Sequence, residues 1–304
     1  MPTRQTITGL IHLMRPAEWS KSLGNMVLAT IVASYVLFTV PTLAKFVLGF
    51  ASVALLWSGL YTLNDFTDWQ KDALHPVKKR RAIPSGAVSP QLALAFSLIL
   101  IVISFGIAVF FELGMLFLVC LLIMLSNQLL YTIKPWELKK RPVLDLISGS
   151  MINPIFRYYA GWVLFVPQFN SPILPLLFIV GLQFGGYGIY RLGSKGFEKK
   201  QSYKSSVVLF GEKKLRIAYY LALAISSLSF VALCLNSIYK VKHILLGFLP
   251  IEFLALGLVM LLGLPFYKTA LKNPQKMNMR KMYWVVYAQN IVFVAGMIAL
   301  WIFL

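Results

Sequence analysis

The chain has 304 residues, of which 59% are hydrophobic and only 13% are charged, and its mean hydropathy is +0.75. Soluble domains carry about 25% charged residues, so this composition excludes an ordinary soluble protein and indicates a helical membrane protein. The net charge of +19 would favour nucleic-acid binding in a soluble chain. We expect no nucleic-acid partner here, because most of the cations lie in short segments between apolar spans.

Nine apolar segments are each close to the roughly 20 residues needed to cross a bilayer. They predict an all-α, polytopic membrane fold in which residues 1–304 form a single integral membrane domain. The segments lie near residues 23–40, 43–63, 91–111, 113–132, 144–165, 172–190, 217–236, 244–265 and 283–303.

Positive charge is distributed unevenly between the two sides of this nine-span arrangement. Of the 29 Lys and Arg residues, 25 lie before the first span or in loops on the same side, whereas the other side has Lys45, Lys240 and Lys242. Cytoplasmic loops of membrane proteins are enriched in Lys and Arg. We therefore predict that the N-terminus and the large loops lie in the cytoplasm, where some of this charge would attract anionic membrane lipids or polyphosphates.

The most polar stretch follows the second span. It contains Asn64, Asp65, Asp68 and Asp72, so that three of the ten carboxylates lie within eight residues. In a helix that continues the span, Asn64, Asp68 and Asp72 recur every four residues on one face, with Asp65 one step round. Carboxylates this close repel one another unless a cation lies between them, and oxygen ligands suit Mg²⁺. The stretch therefore predicts a Mg²⁺ site with Asn64, Asp68 and Asp72 as ligands.

Four consecutive cations, Lys78 to Arg81, follow this stretch. If the chain folds back after the helix, Lys79 and Arg81 would bind the oxygens of a diphosphate beside the metal. The alternative is a polar, salt-bridged loop without chemistry. The helical spacing of the carboxylates favours the metal and diphosphate site over that alternative.

The pattern Asn64-Asp65-x-x-Asp68-x-x-x-Asp72 resembles the first aspartate-rich motif of the UbiA superfamily of intramembrane prenyltransferases. Residues 81–86, with the sequence Arg-Ala-Ile-Pro-Ser-Gly, resemble the R-P-x-P-S-G signature that follows this motif in the family. Residues 131–145 resemble the family's Y-x-x-x-P…L-K-x-R-P-x-L-D segment. The resemblance covers most of residues 12–211.

This resemblance implies nine helices around a central cavity that opens sideways to lipid, with Asp65, Asp68 and Asp72 as catalytic groups. It implies a Mg²⁺-dependent transferase that moves a polyprenyl group from a polyprenyl diphosphate to a small or lipid acceptor. Mg²⁺ and nearby cations would stabilise the departing diphosphate, and the acceptor would attack the carbocation. Substrate contacts are expected from Lys21, Lys79, Arg81, Tyr131, Arg141, Arg157, Arg191 and Lys195.

The second aspartate motif of that family, D-x-x-x-D, has no direct counterpart. Residues 204–211 resemble the family's K-S-T-x-x-L-F-G segment, and counting back from them puts Ser194 and Glu198 at the aspartate positions. Arg191 and Lys195 lie beside them. Fixed cations could replace one metal ion electrostatically, or this stretch could be a solvated basic loop. The sequence leaves both interpretations open.

A second resemblance points to another branch of the same superfamily. Residues 15–22, Arg-Pro-Ala-Glu-Trp-Ser-Lys-Ser, resemble the R-P-x-x-W-x-K-N opening of decaprenyl-phosphate phosphoribosyltransferases, and Arg157-x-x-x-Gly161 resembles their R-x-x-x-G. In that branch the diphosphate belongs to phosphoribosyl pyrophosphate, and a polyprenyl phosphate is the nucleophile. This implies an alternative function, the transfer of phosphoribose to a polyprenyl phosphate.

Arg157 lies in an otherwise apolar span, where an unpartnered charge costs on the order of a few kcal/mol. It would bind a phosphate or carboxylate in the cavity, or pair with a buried acid such as Asp145. Tyr131 would donate a hydrogen bond to the diphosphate, or serve as an interfacial aromatic residue.

A transporter is a different class of function, but its ionisable groups would lie near the bilayer midplane instead of at one end of the spans.

Overall fold

The computed structural model describes residues 3–75, 78–200, 203–235, 239–241, 244–272 and 278–304, so that Lys242 lies outside it. Helices dominate these ranges, and two three-residue strands, β1 (Tyr239–Val241) and β2 (Ile244–Leu246), pair antiparallel. The helices are α1 (Arg4–Met14), α2 (Trp19–Leu37), α3 (Leu43–Ala73), α4 (Pro90–Phe110), α5 (Met115–Thr132), α6 (Leu144–Ile147), α7 (Asn153–Val163), α8 (Ile173–Lys200), α9 (Ser206–Leu209), α10 (Gly211–Leu233), α11 (Gly257–Leu261), α12 (Leu264–Lys272) and α13 (Met279–Phe303).

Seven helical stretches in the described ranges are long and apolar enough to cross a bilayer. They confirm the prediction of an integral membrane protein with several helical spans. The stretches are Arg4–Leu37, Leu43–Ala73, Pro90–Phe110, Met115–Thr132, Ile173–Gly196, Gly211–Leu233 and Lys281–Phe303.

The predicted count of nine spans is not confirmed. The fifth predicted span, 144–165, consists of α6, a π-helical segment (Ser148–Ile152) and α7 in succession. The eighth, 244–265, begins in β2 and continues through a 3₁₀ segment (Ile251–Leu256) into α11. Gly247 has a φ of +69°, and Pro250 has no N–H to donate, so a continuous α-helix cannot form there.

Small residues let the long helices approach closely. Ser97 Oγ on α4 donates to the Gly59 carbonyl of α3 at 2.7 Å, and Ser104 Oγ donates to the Ser52 carbonyl at 2.7 Å. On the other side of the bundle, Ser226 Oγ of α10 donates to the Phe178 carbonyl of α8 at 2.7 Å. Such contacts are typical of helix pairs in membranes, where apolar burial between helices contributes little.

The main apolar core lies between α2, α3, α5, α7 and α8, and its largest fully buried side chain is Trp162. Helix α7 lies directly against α2 at Gly161. A Cβ at this position would lie 2.6 Å from the Cα and the carbonyl oxygen of Met26, which is closer than atoms can pack. The close crossing of α2 and α7, which positions Arg157 one turn earlier, therefore requires glycine at residue 161.

A separate, smaller apolar cluster joins α1 to the loop between α3 and α4. Leu13 of α1 packs against Ala82, Ile83 and Val88 of that loop, and Phe66 and Trp69 of α3 support the cluster. We call α1 together with residues 78–89 the cap, because these segments lie over the end of α3 that bears the aspartates.

We expect Gly161→Ala to destabilise the protein by about 1–3 kcal/mol, the usual range for overpacking a dense core. Gly106→Ala on α4 is the matched control, because a Cβ there meets nothing within 4 Å. It should leave stability unchanged or raise it, since alanine favours helices. Thermal unfolding of the two variants in detergent measures the difference, and equal midpoints would show that α2 and α7 are not tightly packed at this crossing.

Candidate active site

Helix α3 continues past its apolar part to Ala73, and its last turns carry Asn64, Asp65, Asp68 and Asp72 as the spacing predicted. Asp65 and Asp72 are buried, with 4% and 3% of their surface exposed. Buried carboxylates need partners, because an isolated charge in a protein interior is strongly disfavoured. Each of the three aspartates has at least one cation beside it.

Asp65 and Asp72 share one guanidinium. Arg81 Nη1 lies 2.9 Å from Asp65 Oδ1 and 2.7 Å from Asp72 Oδ2. Arg15 Nη2 also contacts Asp65 Oδ1 at 2.5 Å, and Lys78 Nζ lies 3.5 Å from Asp72 Oδ1. The loop after α3 therefore does fold back, as predicted, and its Arg81 cross-links two aspartates that lie two turns apart.

Asp68 has a different partner on a distant segment. Lys139 Nζ donates to both Asp68 carboxylate oxygens, at 2.7 and 2.8 Å, and to Thr132 Oγ1 at 3.3 Å. Thr132 Oγ1 in turn donates to Asn64 Oδ1 at 2.7 Å. We call the combined group of Asn64, Asp65, Asp68, Asp72, Arg15, Arg81 and Lys139 the aspartate cluster.

The aspartate cluster fits Mg²⁺ in the chemistry of its donors, because all of its ligating atoms would be carboxylate or amide oxygens. Within the described ranges, however, no three His, Cys, Asp or Glu side chains converge closely enough to hold a metal ion. The reason is visible in the pairing: Arg81 lies between Asp65 and Asp72, and Lys139 covers Asp68. A metal at Asn64, Asp68 and Asp72 would displace those cations from the carboxylates.

Tyr203 borders the aspartate cluster. Lys71 Nζ and Lys140 Nζ lie 5.8 and 5.4 Å from the centre of its ring, within range of a cation–π contact. Burial, reinforced by the charge of Asp68, raises the pKa of Tyr203 above its ordinary value. Its phenol therefore stays protonated at neutral pH and can donate a hydrogen bond.

A second polar group occupies the position of the missing aspartate motif. We call it the Arg191 cluster, and it consists of Arg191, Asp145, Glu198, Ser194 and Ser205. Arg191 Nη2 lies 2.6 Å from Asp145 Oδ2, and Arg191 Nη1 lies 2.9 Å from Glu198 Oε1. Glu198 also accepts hydrogen bonds from Ser194, at 2.6 Å, and from Ser205. This arrangement excludes a solvated basic loop at residues 191–198, because Glu198 is 4% exposed and Asp145 is fully buried.

Asp145 also fastens α6 to α9. Its Oδ1 accepts from Ser206 Oγ at 2.5 Å, and its Oδ2 accepts from the Ser206 backbone N–H at 3.1 Å. Tyr131 reaches the Arg191 cluster through Tyr187. The two hydroxyl groups are 2.9 Å apart, and the guanidinium carbon of Arg191 lies 5.9 Å from the centre of the Tyr187 ring. Since Tyr131 precedes Thr132 on α5, the Arg191 cluster and the aspartate cluster are neighbours.

Arg157 lies in a third group, which we call the Glu18 cluster and which consists of Glu18, Lys21, Trp57, Tyr61 and Arg157. Of the two alternatives for Arg157, pairing with Asp145 is wrong, because Asp145 pairs with Arg191. The guanidinium carbon of Arg157 lies 3.8 Å from the Trp57 ring centre, and its Nη2 donates to Tyr61 Oη at 3.3 Å. Tyr61 donates to Glu18 Oε2 at 3.3 Å, and Lys21 Nζ contacts the same oxygen at 2.7 Å. Arg157 is 4% exposed, and its Nε has no hydrogen-bond partner in the described part of the chain.

Three residues predicted to bind substrate lie apart from these clusters. Lys79 is exposed, and Arg141 is exposed with its Nη2 donating to the Pro135 carbonyl at 3.1 Å. Lys195 lies 3.8 Å from Glu212 at the start of α10. Their roles in substrate binding stay predictions.

Sequence reasoning gave no role in the site to four residues that the structure brings into it, namely Arg15, Glu18, Lys139 and Tyr203. Arg15 and Glu18 belong to the 15–22 motif and Lys139 to the 131–145 motif, so the motifs flagged their segments without indicating their partners. Tyr203 lies in no quoted motif, and no pattern in the sequence would have identified it.

Comparison with known proteins extends the match from these segments to most of the chain. A sequence profile of the UbiA prenyltransferase family matches residues 23–286. Decaprenyl-phosphate phosphoribosyltransferase of Mycolicibacterium smegmatis is 28% identical over 221 residues, which are 69% of this chain and 67% of that protein. Protoheme IX farnesyltransferase of Leptospira biflexa is 32% identical over 158 residues, 47% of this chain and 54% of that enzyme.

A solved structure shares the fold across almost the whole chain. The structure of a UbiA homolog from Archaeoglobus fulgidus bound to GPP and Mg²⁺ superposes with a TM-score of 0.72, covering 96% of this chain and 98% of that one. The two sequences are 19% identical, so this likeness concerns the fold alone.

We expect Arg191→Leu to lower the free energy of unfolding by about 3–5 kcal/mol, because it leaves the fully buried Asp145 carboxylate unpaired. Lys195→Gln is the matched control one turn away. Its pair with Glu212 is about one-third exposed and should contribute about 0–1 kcal/mol. Thermal unfolding in detergent tests both variants. If Arg191→Leu unfolds like the wild type but loses substrate affinity, the Arg191 charge serves the substrate and not the fold.

Proposed function

The chain belongs to the UbiA prenyltransferase family and is a membrane transferase, and we propose that it moves a polyprenyl group from a polyprenyl diphosphate to a small or lipid acceptor. The aspartate cluster is the proposed reaction site, with Mg²⁺ as cofactor and Asp65, Asp68 and Asp72 as the catalytic carboxylates. The proposed site lies at the cytoplasmic face, an orientation that rests on the uneven distribution of Lys and Arg.

The observation that carries this proposal is the interleaving of charges at the end of α3. Arg81 lies between two aspartates, and Lys139 binds the third. A metal diphosphate contains both signs of charge as well. The phosphate oxygens would bind Arg81 and Lys139 in place of the carboxylates. The released carboxylates would bind the metal, so that each buried charge keeps a partner of opposite sign.

In the proposed reaction the carbon–oxygen bond between the prenyl group and its diphosphate breaks, and the electron pair leaves with the diphosphate. Mg²⁺, when bound, neutralises charge on that leaving group. Arg81, Lys139 and Arg15 provide fixed positive charge where negative charge develops, and the protonated phenol of Tyr203 provides a hydrogen bond. The acceptor nucleophile then bonds to the allylic carbon and passes its proton to an oxygen of the released diphosphate.

The Glu18 cluster is the proposed acceptor side of the site. Arg15 joins it to the aspartate cluster, because its guanidinium contacts Asp65 and lies 5.1 Å from the Tyr61 ring centre. Arg157 keeps one N–H unpaired, which suits a phosphate or carboxylate on the acceptor.

The transfer of phosphoribose to a polyprenyl phosphate is the second candidate. It is favoured by the contact of Arg15 with Asp65, which brings the segment that resembles the phosphoribosyltransferases onto the aspartate cluster. The decaprenyl-phosphate phosphoribosyltransferase of M. smegmatis matches 69% of this chain, whereas the farnesyltransferase of L. biflexa matches 47%. The Arg191–Glu198 pair, at the place of a second aspartate pair, is compatible with this reaction.

We expect geranylgeranyl diphosphate with Mg²⁺ to raise the thermal stability of the purified protein in detergent, and phosphoribosyl pyrophosphate to raise it less. A ligand present at 100 times its Kd stabilises the folded state by about 2.7 kcal/mol. Mg²⁺ alone should have little effect, because Arg81 and Lys139 already occupy the carboxylates. Asp68→Asn should abolish the response to the diphosphate.

Glu112→Gln is the matched control for Asp68→Asn, because Glu112 is an exposed carboxylate at the far end of α4. It should respond like the wild type. A larger response to phosphoribosyl pyrophosphate would make the sugar the electrophile and the second candidate correct. A response to neither ligand would refute the metal and diphosphate site.

We expect Arg81→Ala to raise the Kd for geranylgeranyl diphosphate about 10- to 100-fold, the range for losing hydrogen bonds to a charged group. Lys79→Ala removes a cation two residues away whose side chain is exposed, so its predicted contact with the diphosphate should contribute less and the Kd should rise less than about threefold. Binding measured by thermal shift with Mg²⁺ compares the two variants. Equal effects would mean that the basic run acts through its overall charge and not through Arg81.

A further inference from the structure

Two open cavities adjoin each other beside the cap, and both are lined by His12 and Arg80. The inner cavity, of about 290 Å³, reaches Asp65, Arg15 and Arg81 and so belongs to the aspartate cluster. The outer cavity is larger, about 520 Å³, and runs along α1 away from the aspartates. We call the outer cavity the α1 groove. It has no part in the reaction proposed above.

The α1 groove is positively charged and has no compensating acid among its described lining residues. Within the described ranges the structure gives no ion pair to Arg4 or Arg80, whereas Arg15 and Arg81 of the inner cavity are both paired with Asp65. The polar and charged residues that line the groove are Arg4, Gln5, Thr8, His12, Arg80 and Ser85.

The positions of these cations favour a phosphate group as the ligand. Arg4, Thr8 and His12 recur every four residues and therefore share one face of α1, with Arg80 facing them across the groove. Arginine guanidinium groups bind phosphate oxygens through paired N–H donors. Two unpaired arginines that line one cavity form such a site.

The neighbouring row of α1 indicates that this phosphate is carried by a lipid. Ile7 and Ile11, one turn apart, are each 50% exposed, while Gly9 and Leu13 face the protein. A helix with an exposed apolar row beside a basic row lies in the membrane interface, with the apolar row at the acyl chains. Helix α1 is the first part of the apolar stretch Arg4–Leu37, so it lies at one end of a segment long enough to cross a bilayer.

We propose that the α1 groove binds the phosphate headgroup of an anionic membrane lipid. Arg4 and Arg80 contact the phosphate, and Ile7 and Ile11 contact the acyl chains. Because the groove shares His12 and Arg80 with the inner cavity, the bound lipid lies beside the aspartate cluster and covers the outer wall of the cap.

The test is thermal stability of the whole chain in neutral detergent, without Mg²⁺ or prenyl diphosphate, titrated with dioleoyl phosphatidic acid. We expect a saturable rise in stability that neither dioleoyl phosphatidylcholine nor inorganic phosphate produces. The double variant Arg4→Gln/Arg80→Gln should raise the apparent Kd about tenfold or more, because each basic residue near an anionic headgroup contributes to binding. Lys213→Gln/Lys214→Gln is the matched control, since it also removes two exposed cations, on α10.

Each other outcome overturns the proposal. Equal stabilisation by phosphatidylcholine would mean that the headgroup is not recognised, and equal stabilisation by inorganic phosphate would mean that the ligand is not a lipid. An unchanged Kd in Arg4→Gln/Arg80→Gln, or an equal loss in Lys213→Gln/Lys214→Gln, would mean that the groove is not the site. Arg4 and Arg80 are exposed, so the double variant should fold like the wild type. Asp68→Asn should keep the lipid response, which separates this proposal from the transferase site.

Discussion

The candidate site depends on one constraint: three carboxylates close together at the end of a long apolar helix must each have a positive partner. Arg81 meets this need for Asp65 and Asp72, and Lys139 meets it for Asp68. These two cations come from different loops. The ion pairs that neutralise the buried carboxylates therefore also hold both loops against α3. Removal of one partner from such a buried pair is far more costly than the net contribution of the pair itself. The geometry of the loops and the chemistry of the site are therefore not separable.

Much of this arrangement could be predicted from the sequence because it is local. The interval of four residues between Asn64, Asp68 and Asp72 fixes their common face once the segment is helical. The basic run follows immediately, so a short turn is enough to bring Arg81 back to Asp65 and Asp72. Hydropathy predicted nine spans, and seven of them overlap the helical stretches that can span a membrane.

Partners that are distant in sequence could not be predicted. Lys139 is 71 residues from Asp68, and no periodicity relates the two. Asp145 was the acid that the sequence offered as a partner for Arg157, but the packing of α7 against α2 and α3 places the guanidinium on Trp57. Asp145 binds Arg191 instead. Hydropathy also failed at 244–265, where the residues are apolar but Gly247 and Pro250 interrupt the helix.

Arg15 has a left-handed backbone, with a φ of +50°, which non-glycine residues adopt at a cost of about 1–2 kcal/mol. The following Pro16 disfavours the helical alternative, so α1 and α2 meet at a fixed bend. Arg15, directly after α1, and Arg81, in the loop of residues 78–89, both bind the carboxylate of Asp65. A single negative charge thus anchors the cap electrostatically at two points. When an incoming anion draws both guanidinium groups away from Asp65, residues 78–89 stay paired with α3 through Lys78 and Asp72, whereas α1 is held by the apolar contacts of Leu13 with its neighbours. The entrance to the site then loosens on the side of α1 as the site fills.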